Sequence, residues 1–367
     1  MNPMPNAPQP TRSRPRPIPT AGMSPRKIVE EIDKWVVGQR RAKRVMALAF
    51  WNHIVRTNDA IANGGQTDLK KANVMMVGPT GVGKTHIART LARVVGLPMV
   101  VADATEYTEA GYYGKDVEVM IAELLHSCEL DVSACERGIV FIDEVDKIAR
   151  KNGGTRTGAG NRDIGGEGVQ QSILKLLEGR KTFVPMNVTQ HWNKHDFVEV
   201  DTANILFVCA GTFTDAREER EKGGGLGFGN EVSGKKPARR ISQKTLVEAG
   251  MLPELLGRLP IVVQLDPLGA GDLARILTEP QDALIKEYVR LLDVQGVKLE
   301  FPDESVKAVA DFAAKRGRGA RGLRAVMEEV LHDVLFDAAE NPGQTVTVSP
   351  GDVAAKLAEF DSGMSAE

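Results

Sequence analysis

One eight-residue segment limits the folds open to this chain. Residues 78–85 read Gly-Pro-Thr-Gly-Val-Gly-Lys-Thr, which matches the pattern G-x-x-x-x-G-K-[ST]. The apolar run Val74–Val77 comes directly before it, and the helical pattern Thr85–Val95 follows it. A strand, a glycine-rich turn and a helix in this order gather backbone N–H groups and the positive end of a helix dipole at one point. The segment predicts a phosphate-binding loop in an α/β domain; the alternative is a glycine-rich turn that matches by chance.

Five short apolar runs mark the strands that we expect in this domain. Fully apolar runs of this length suit strands that are buried on both faces of a parallel sheet. Helical patterns such as Val169–Leu177 separate the runs and would cross over between parallel strands. The runs are Val74–Val77, Met99–Ala102, Ile139–Ile142, Ile205–Cys209 and Ile261–Leu265. We therefore expect an α/β fold with a parallel sheet.

The pattern changes near Asp266-Pro267, where a second domain is expected to begin. The chain has 367 residues, 42% of them hydrophobic, which is enough for one large domain and a smaller one. Beyond the boundary lie helical patterns at Leu273–Leu277, Ala283–Leu292, Ser305–Lys315 and Gly322–Asp337, and extended pieces near Val297–Phe301 and Thr345–Val348. The predicted division is a large α/β domain at 23–266, a smaller, mainly helical domain at 267–360 and a flexible C-terminus at 361–367.

Residues 1–22 differ in composition from the rest of the chain. They hold seven of the 19 prolines and three arginines, and no acidic residue. Such a segment buries too little apolar surface to order itself, so we predict a disordered tail, with a basic anchoring arm as the alternative. Order is expected to begin at Ser24-Pro25, where a capping serine and a proline at the first helical position start a helix.

Charge, cysteine content and apolar run length exclude several classes of protein. Lys and Arg total 47 against 49 acidic residues, a formal net charge of -2, which makes a nucleic-acid partner unlikely on this criterion. The cysteines Cys128, Cys135 and Cys209 form no C-x-x-C pair, so neither a disulfide framework nor a four-cysteine zinc site is expected. No apolar run reaches the roughly 18 residues of a membrane span. We expect a cytoplasmic protein without zinc.

A second chemical signal lies 59 residues after Lys84, where the run Ile139–Ile142 leads into Asp143 and Glu144. Doubly wound sheets bind ligands at the carboxyl ends of their strands. We therefore expect Thr85 and Asp143 to ligate Mg²⁺, Lys84 to reach the β- and γ-phosphates of ATP, and Glu144 to be the base that orients water. Acids after a strand also cap helices, which is the alternative. The predicted phosphate-binding set is Gly78, Pro79, Thr80, Gly81, Val82, Gly83, Lys84 and Thr85.

Longer strings from about Met23 to about Leu357 resemble the ClpX family of AAA+ unfoldases, without that family's usual N-terminal zinc domain. The strings are VVGQ at 36–39, GPTGVGKT at 78–85, TEAGYYG at 108–114, FIDEVDKIAR at 141–150, GEGVQQSILKLLEG at 166–179, LPELLGRLP at 252–260 and GARGLR at 319–324. The resemblance implies an AAA+ fold and a homohexamer that unfolds protein substrates with ATP for a ClpP-type peptidase.

The resemblance also assigns roles around the nucleotide. It implies that Val36 and Val37 contact the adenine and that Arg258 is the arginine finger for a neighbouring subunit. Arg321 resembles the sensor-2 arginine of the small domain, and Thr212 corresponds more loosely to the sensor-1 polar group. Without the family, each arginine would be interpreted as a surface charge.

Two further segments resemble the family's substrate and partner loops. Tyr112 and Tyr113 stand in the pore loop, although the family commonly has an aliphatic residue at the second position. Arg162 lies in the second pore loop together with Glu167. The tripeptide Leu226-Gly227-Phe228 resembles the hook that docks on ClpP. A packed tyrosine pair and a flexible linker are the respective alternatives.

One loop departs from the family pattern. Residues 190–195 read Gln-His-Trp-Asn-Lys-His where the family usually has Arg-Lys-His. This departure puts the recognition of substrate tags in doubt. His191 and His195 are four residues apart, but no acidic third ligand is adjacent, so a metal site is not expected there.

Three other functions compete with a ClpP-coupled unfoldase. An HslU-like ATPase is opposed by the 59-residue spacing and by Leu226-Gly227-Phe228. A scaffold or DNA-remodelling AAA+ protein is opposed by the near-neutral charge and the tyrosine loop. A remodelling chaperone that needs no peptidase remains open. No protease nucleophile constellation is apparent, so the chain is expected to unfold proteins without cutting them.

Overall fold

The structure is a computed structural model that describes residues 9–108, 115–150, 166–186, 197–214 and 241–364. The chain forms two compact units. The large unit comprises Met1–Ile28, Arg41–Gly78 and Ala88–Gln264, and the small unit comprises Val29–Arg40, Pro79–Ile87 and Leu265–Glu367. The small unit therefore takes two short segments from the N-terminal part of the chain. Within the described residues, no helix is long and apolar enough to cross a membrane.

The core of the large unit is a five-stranded parallel sheet. All five predicted apolar runs form its strands, so the predicted α/β fold is confirmed. Its strands are β1 (Val74–Val77), β2 (Met99–Asp103), β3 (Ile139–Asp143), β6 (Leu206–Gly211) and β7 (Ile261–Gln264), in the order β2-β3-β6-β1-β7. The helices of this part of the chain are α1 (Pro25–Ile32), α2 (Arg40–Ala62), α3 (Lys84–Val95), α4 (Val119–Ser127), α5 (Val132–Cys135), α6 (Gly166–Leu177), α7 (Gln243–Glu248) and α8 (Pro253–Gly257).

Burial explains why these runs are apolar. Every residue of β1 and β6 is buried, because β1 pairs with β6 on one side and β7 on the other. The register places Val74 opposite both Val208 and Ile261, and Phe141 opposite Val208. Central strands covered on both faces have no polar side to present to water, so the apolar and polar residues do not alternate.

A separate two-stranded antiparallel ribbon was not predicted. It consists of β4 (Lys181–Pro185) and β5 (Phe197–Asp201). In β4 exposed and buried residues alternate, with Lys181 and Phe183 exposed and Thr182 and Val184 buried. The ribbon therefore has one packed face, and its mixed composition gives a weaker signal than the fully apolar runs.

The small unit is mainly helical. Its helices are α9 (Ala270–Thr278), α10 (Leu284–Val294), α11 (Asp303–Lys315), α12 (Arg321–Asp337) and α13 (Pro350–Met364), and β8 (Lys298–Glu300) pairs with β9 (Thr345–Thr347) in parallel. Fully buried residues such as Leu273, Leu292, Val309 and Leu323 fill its core. Helix α13 continues past residue 360, where we expected the domain to end.

The proline- and arginine-rich segment does not match the predicted disordered tail over the residues that the structure describes. Thr11 forms a parallel bridge with Asp131 at the start of α5. Ser13 Oγ donates to Asp131 Oδ2 over 2.6 Å, and Arg12 pairs with Glu136 over 3.1 Å. We name residues 9–18 the N-terminal arm. It lies against the large unit, as an anchoring arm would, and the surface it binds belongs to its own chain.

The far end of the arm is anchored on α2. The Ile18 N–H donates to Asn58 Oδ1 over 2.7 Å, and Asn58 Nδ2 donates back to the Ile18 carbonyl over 2.9 Å. The Ile18 side chain is 7% exposed. Composition underestimates this docking, because it counts apolar content and misses backbone groups that find specific polar partners.

The charge on Asp131 matters for the docking of the arm. Burial alone would raise the pKa of Asp131, but hydrogen bonds from Ser13, Ser133 and Ala134 outweigh it and lower the pKa below the ordinary value. A carboxylate whose pKa is lowered by folding stabilises the fold above its unfolded pKa and loses that contribution as the pH falls through the lowered value. The arm is therefore held at neutral pH and weakens below about pH 4.

We predict that Ser13→Ala exposes the arm to protease. The change removes the hydroxyl that donates to Asp131 but leaves the Asp131 bond to the Ser133 N–H, which caps α5. Tryptic cleavage between Arg12 and Ser13 should become several-fold faster, since loss of one hydrogen bond to a charged group costs roughly 1.5–3 kcal/mol before solvent screening. Rates are measured by mass spectrometry at neutral pH. Asp68→Ala, at an exposed position of the same unit, is the control; equal rates in all three proteins would contradict arm docking.

Candidate nucleotide-binding site

The phosphate-binding loop begins where β1 ends. The Gly78 N–H donates to the Gly211 carbonyl at the end of β6 over 3.2 Å, so the loop starts from a fixed point on the sheet. Gly81 has φ +75° and Gly83 has φ +93°, both in the left-handed region that favours glycine. These two positions give the loop the curvature with which successive N–H groups can face one anion.

The cation of the site is enclosed by the loop itself. Lys84 is the first residue of α3 and only 8% exposed, and its Nζ donates to the Pro79 carbonyl over 2.9 Å. The positive end of the α3 dipole lies at the same place, with Thr85 next along the helix. A buried ammonium, a helix start and a glycine-curved backbone fit the phosphates of a nucleotide.

The small unit brings three of the predicted nucleotide segments together. Val36 and Val37 are buried, at 6% and 8% exposure. The carbonyl of Trp35, just before them, lies 3.3 Å from Nε2 of His86 in α3. On the other side of the loop, the Ala320 N–H donates to the Gly81 carbonyl over 2.9 Å, one residue before Arg321 begins α12. The loop and the start of α3 thus contact the residues that come directly before Val36 and Arg321 in the chain.

The turn after Val37 is anchored by a residue whose role the sequence did not reveal. Gly38 and Gln39 have φ +67° and +48°. The Gln39 side chain donates to the Asp266 carbonyl over 2.7 Å and accepts from the Asp266 N–H over 3.0 Å. The Gln39 amide thus pairs with both backbone groups of Asp266, as a neighbouring strand would. These two bonds fix the turn to the residue that precedes the helical part of the small unit.

The acidic pair lies at the same edge of the sheet as the start of the loop. Asp143 ends β3, which is separated from β1 only by β6, and all three strands run parallel. Glu144 has φ 56° and ψ 30°, a left-handed conformation in a residue that has a side chain. Its N–H donates to Asp143 Oδ1 over 3.0 Å. Such backbone strain costs on the order of 1–3 kcal/mol and is concentrated at functional sites.

The helix-cap alternative for Glu144 finds no support in the geometry. Glu144 precedes the short 3₁₀ helix Val145–Ile148 but makes no side-chain capping hydrogen bond. A left-handed backbone is also unlike the extended conformation of an ordinary N-cap residue. The strained backbone of Glu144 is therefore better explained by a functional requirement on the position of its carboxylate than by helix capping.

A third acid, which the sequence analysis missed, holds the predicted sensor-1 residue. The Thr212 N–H and hydroxyl both donate to the Asp146 carboxylate, over 3.1 Å and 2.7 Å. A Cβ at Gly211 would lie 2.8 Å from Asp146 Oδ1, so the close approach needs a glycine there. The string FIDEVDK contained the signal, because Asp146 follows Asp143 by three residues. The structure therefore ties Thr212 to the acidic segment.

The structure does not bring Arg258 to the phosphate edge of its own sheet. Ile261, the first residue of β7, pairs with Val74, the first residue of β1, and Arg258 lies three residues earlier. Asn73 Nδ2 donates to the Arg258 carbonyl over 3.0 Å at this amino edge. The Arg258 side chain is 54% exposed and pairs with Glu178 over 3.1 Å. Arg258 and Gly78 thus lie at opposite edges of the sheet.

A buried glutamine connects the acidic segment to the segment that leads to Arg258. Gln170 of α6 is fully buried, and its amide donates to the carbonyls of Ile148 and Gly250 over 2.8 Å and 3.3 Å. Its oxygen accepts from the Leu252 N–H over 2.9 Å. The amide nitrogen and the amide oxygen of Gln170 both have hydrogen-bond partners. A displacement of the Ile148 segment would therefore strain the bonds to the segment of Gly250 and Leu252.

Several predicted residues lie outside the described residues. These are Tyr112, Tyr113, Arg162, His191, His195, Leu226, Gly227 and Phe228. Glu167, which was assigned to the second pore loop, is described at the start of α6 and pairs with Arg150.

A parallel sheet with a glycine-rich phosphate loop after one strand and an acidic pair after its near neighbour, followed by a helical unit, defines an AAA+ P-loop ATPase. Residues 69–262 match the model of the AAA domain (Cdc48 subfamily), and residues 268–348 match the C-terminal, D2-small domain of ClpB protein. A relative from Wolinella succinogenes, the ATP-dependent Clp protease ATP-binding subunit ClpX 2, is 42% identical over 314 residues, which cover 85% of this chain and 77% of the relative. The chain belongs to the ClpX family of AAA+ ATPases.

We predict that Glu144→Gln separates nucleotide binding from hydrolysis. The amide keeps the size of the side chain and leaves the loop and Lys84 intact, but it cannot accept a proton from water. Turnover of ATP should fall by about 10²–10⁴-fold, the usual contribution of a general base, while binding of a fluorescent ATP analogue persists. Glu129→Gln, which also replaces an acid with left-handed backbone (φ 54°) but lies away from the site, is the control. Normal turnover in Glu144→Gln would remove Glu144 from catalysis.

Proposed function

We propose that this chain hydrolyses ATP in a homohexameric ring, in the cytoplasm, and uses the energy to unfold proteins and pass them to a ClpP-type peptidase. Two findings support the proposal. The relative from Wolinella succinogenes is by its name the ATP-binding subunit of an ATP-dependent Clp protease. The observation that supports assembly into a ring is the position of Arg258, which lies at the sheet edge opposite the start of the phosphate loop of its own chain. An arginine finger at this position would have to act on the nucleotide of a neighbouring subunit.

In this proposal the nucleotide is held by the residues that the sequence motifs assign to it. Val36 and Val37 contact the base, and the N–H groups of residues 79–85 hold the phosphates with Lys84. Thr85 and Asp143 are the residues that would hold Mg²⁺, which when bound neutralises charge on the phosphate oxygens. Hydroxyl and carboxylate oxygens are the ligands that this ion prefers.

Hydrolysis then needs a base and a stabilising cation. Glu144 orients the attacking water and accepts its proton, and its strained backbone fixes where the carboxylate lies. Thr212, held by Asp146, lies just past the strand between β1 and β3, and we assign to it the sensing of the phosphate. Arg321 reports the γ-phosphate from the start of α12.

In this proposal the stabilising cation is the Arg258 guanidinium of a neighbouring subunit. Arg258 must exchange its exposed ion pair with Glu178 for the negative charge that develops on the neighbour's γ-phosphate. An exposed ion pair contributes little, typically about 0–1 kcal/mol, so the exchange is inexpensive. An arginine finger of this kind raises turnover by about 10³–10⁵-fold in related NTPases.

Force on the substrate and delivery to the peptidase are assigned to loops outside the described residues. Tyr112 and Tyr113 are assigned the gripping of polypeptide, because aromatic rings bind any chain by area burial and dispersion, and Arg162 is assigned to the second pore loop. Leu226, Gly227 and Phe228 dock on an apolar pocket of the peptidase ring. The competing functions are an HslU-like protease ATPase and a remodelling chaperone that needs no peptidase.

We predict that Arg258 acts in trans. Arg258→Ala should lower turnover by about 10³-fold or more while nucleotide binding persists. When Arg258→Ala and Glu144→Gln proteins are mixed, some seams join an intact arginine to an intact glutamate, so ATPase activity should recover above the sum of the two variants. The measurement is phosphate release against mixing ratio. Arg290→Ala, an exposed arginine on α10, is the control. No recovery at any ratio would place the arginine in cis or outside catalysis.

We predict that Phe228→Ala uncouples proteolysis from ATP hydrolysis. The wild-type protein, mixed with a ClpP-type peptidase and ATP, should degrade a folded, tagged fluorescent substrate. Loss of one aromatic hot-spot side chain costs roughly 2 kcal/mol or more, so degradation should fall at least about 30-fold with ATPase activity unchanged. Leu69→Ala, at an exposed apolar position, should behave as wild type.

The same assay separates the competing functions. Substrate unfolding without degradation in the wild-type protein would favour the peptidase-independent chaperone. Degradation by Phe228→Ala at the wild-type rate would show that the tripeptide does not dock.

A further inference from the structure

The phosphate loop touches the helical part of the small unit through backbone atoms. The Ala320 N–H donates to the Gly81 carbonyl over 2.9 Å. A Cβ added at Gly81 would lie 2.3 Å from the Arg318 carbonyl oxygen, and a Cβ added at Gly319 would lie 2.7 Å from the Gly81 carbonyl oxygen. Both neighbours are backbone atoms that cannot rotate away. The contact is therefore open only to glycine at both positions.

The contact leaves the phosphate-binding function of the loop available. In a loop of this kind the N–H groups serve the phosphates, so a carbonyl such as that of Gly81 can accept a bond from elsewhere. Gly81 takes that bond from the residue next to Arg321, and α12 begins at Arg321. The position at which α12 begins is thus tied to the backbone of the loop by one hydrogen bond and a close steric fit.

We infer that Gly319 is a positioning residue for nucleotide binding. Because it has no side chain, the turn 317–320 can pack against the phosphate loop, and this packing fixes the position of Arg321 relative to the loop. The inference rests on the nucleotide site and on the role of Arg321 in the proposed function. It adds that the position of the loop and the position at which α12 begins are coupled, because a shift of Gly81 would strain or break the Ala320 bond.

The turn contains its own control. Gly317 and Gly319 both have left-handed backbone, with φ +66° and +58°. A Cβ at Gly317 meets no atom within 4 Å, whereas a Cβ at Gly319 meets the loop. Alanine at either position pays the same conformational penalty, so the difference between the two variants isolates the contact with the loop.

The test measures binding of a fluorescent ADP analogue to the full chain by titration. Gly319→Ala should weaken binding about tenfold or more relative to Gly317→Ala, a coupling of ordinary size between linked elements. Gly317→Ala should stay within about twofold of wild type, as expected for a surface change. Equal affinities of the two variants overturn the inference. If Gly319→Ala does not fold, Gly319→Asn and Gly317→Asn replace the pair, because asparagine tolerates left-handed backbone better than alanine.

A double variant separates positioning from a general effect on the loop. In an Arg321→Ala background the loss caused by Gly319→Ala should shrink to less than about threefold, since the residue being positioned is gone. An undiminished loss there would overturn the role assigned to Arg321's position. Failure of the wild-type protein to bind the analogue at all would sink the proposed nucleotide site as well, whereas wild-type binding with equal variants sinks this inference alone.

Discussion

The parallel direction of the five central strands is the constraint on which the rest of the structure depends. Because β1, β3 and β6 run the same way in adjoining positions, the phosphate loop, the acidic pair and Thr212 all emerge at one edge. The same direction places the residues that precede each strand at the opposite edge, where Arg258 lies before β7. The shared strand direction thus gathers the start of the loop, the acids and Thr212 at one edge and leaves Arg258 at the other, which is the separation that the proposed action of Arg258 on a neighbouring subunit requires.

The buried Gln170 connects the elements at the two edges of the sheet, and the partly buried Asp146 connects two segments at the carboxyl edge. Gln170 bonds to the segment after the acidic pair and to the segment before Arg258, and Asp146 bonds to Thr212. In a low-dielectric interior, losing one partner of such a group is costly, so these bonds keep distant segments in fixed relation. Glycine at 211 allows the close approach of Asp146, and glycine at 250 allows the close approach of the Arg150 backbone.

Much of this arrangement could be predicted from sequence because its signals are local. The five sheet strands are fully apolar runs. The phosphate loop is a contiguous motif, and its left-handed backbone falls on the glycines Gly81 and Gly83. The ribbon β4–β5 was missed because its short strands carry mixed faces. Asp146 and Gln39 were missed as contacts because their partners, Thr212 and Asp266, lie far away in sequence. The anchoring arm stayed the alternative to a disordered tail because composition cannot show which carboxylate or amide a backbone group will meet.

The docking of the arm bears on how this protein should be trimmed and tagged. A truncation at Met23, where helical order was expected to start, would remove Ile18 and Ser13, so that Asn58 would lose both of its bonds to Ile18 and Asp131 would keep only the bonds from its own helix. Recombinant versions shortened there would expose the surface of α2 that Ile18 contacts and the start of α5 that Ser13 contacts, and affinity tags or fluorescent labels are better joined at the end that follows α13.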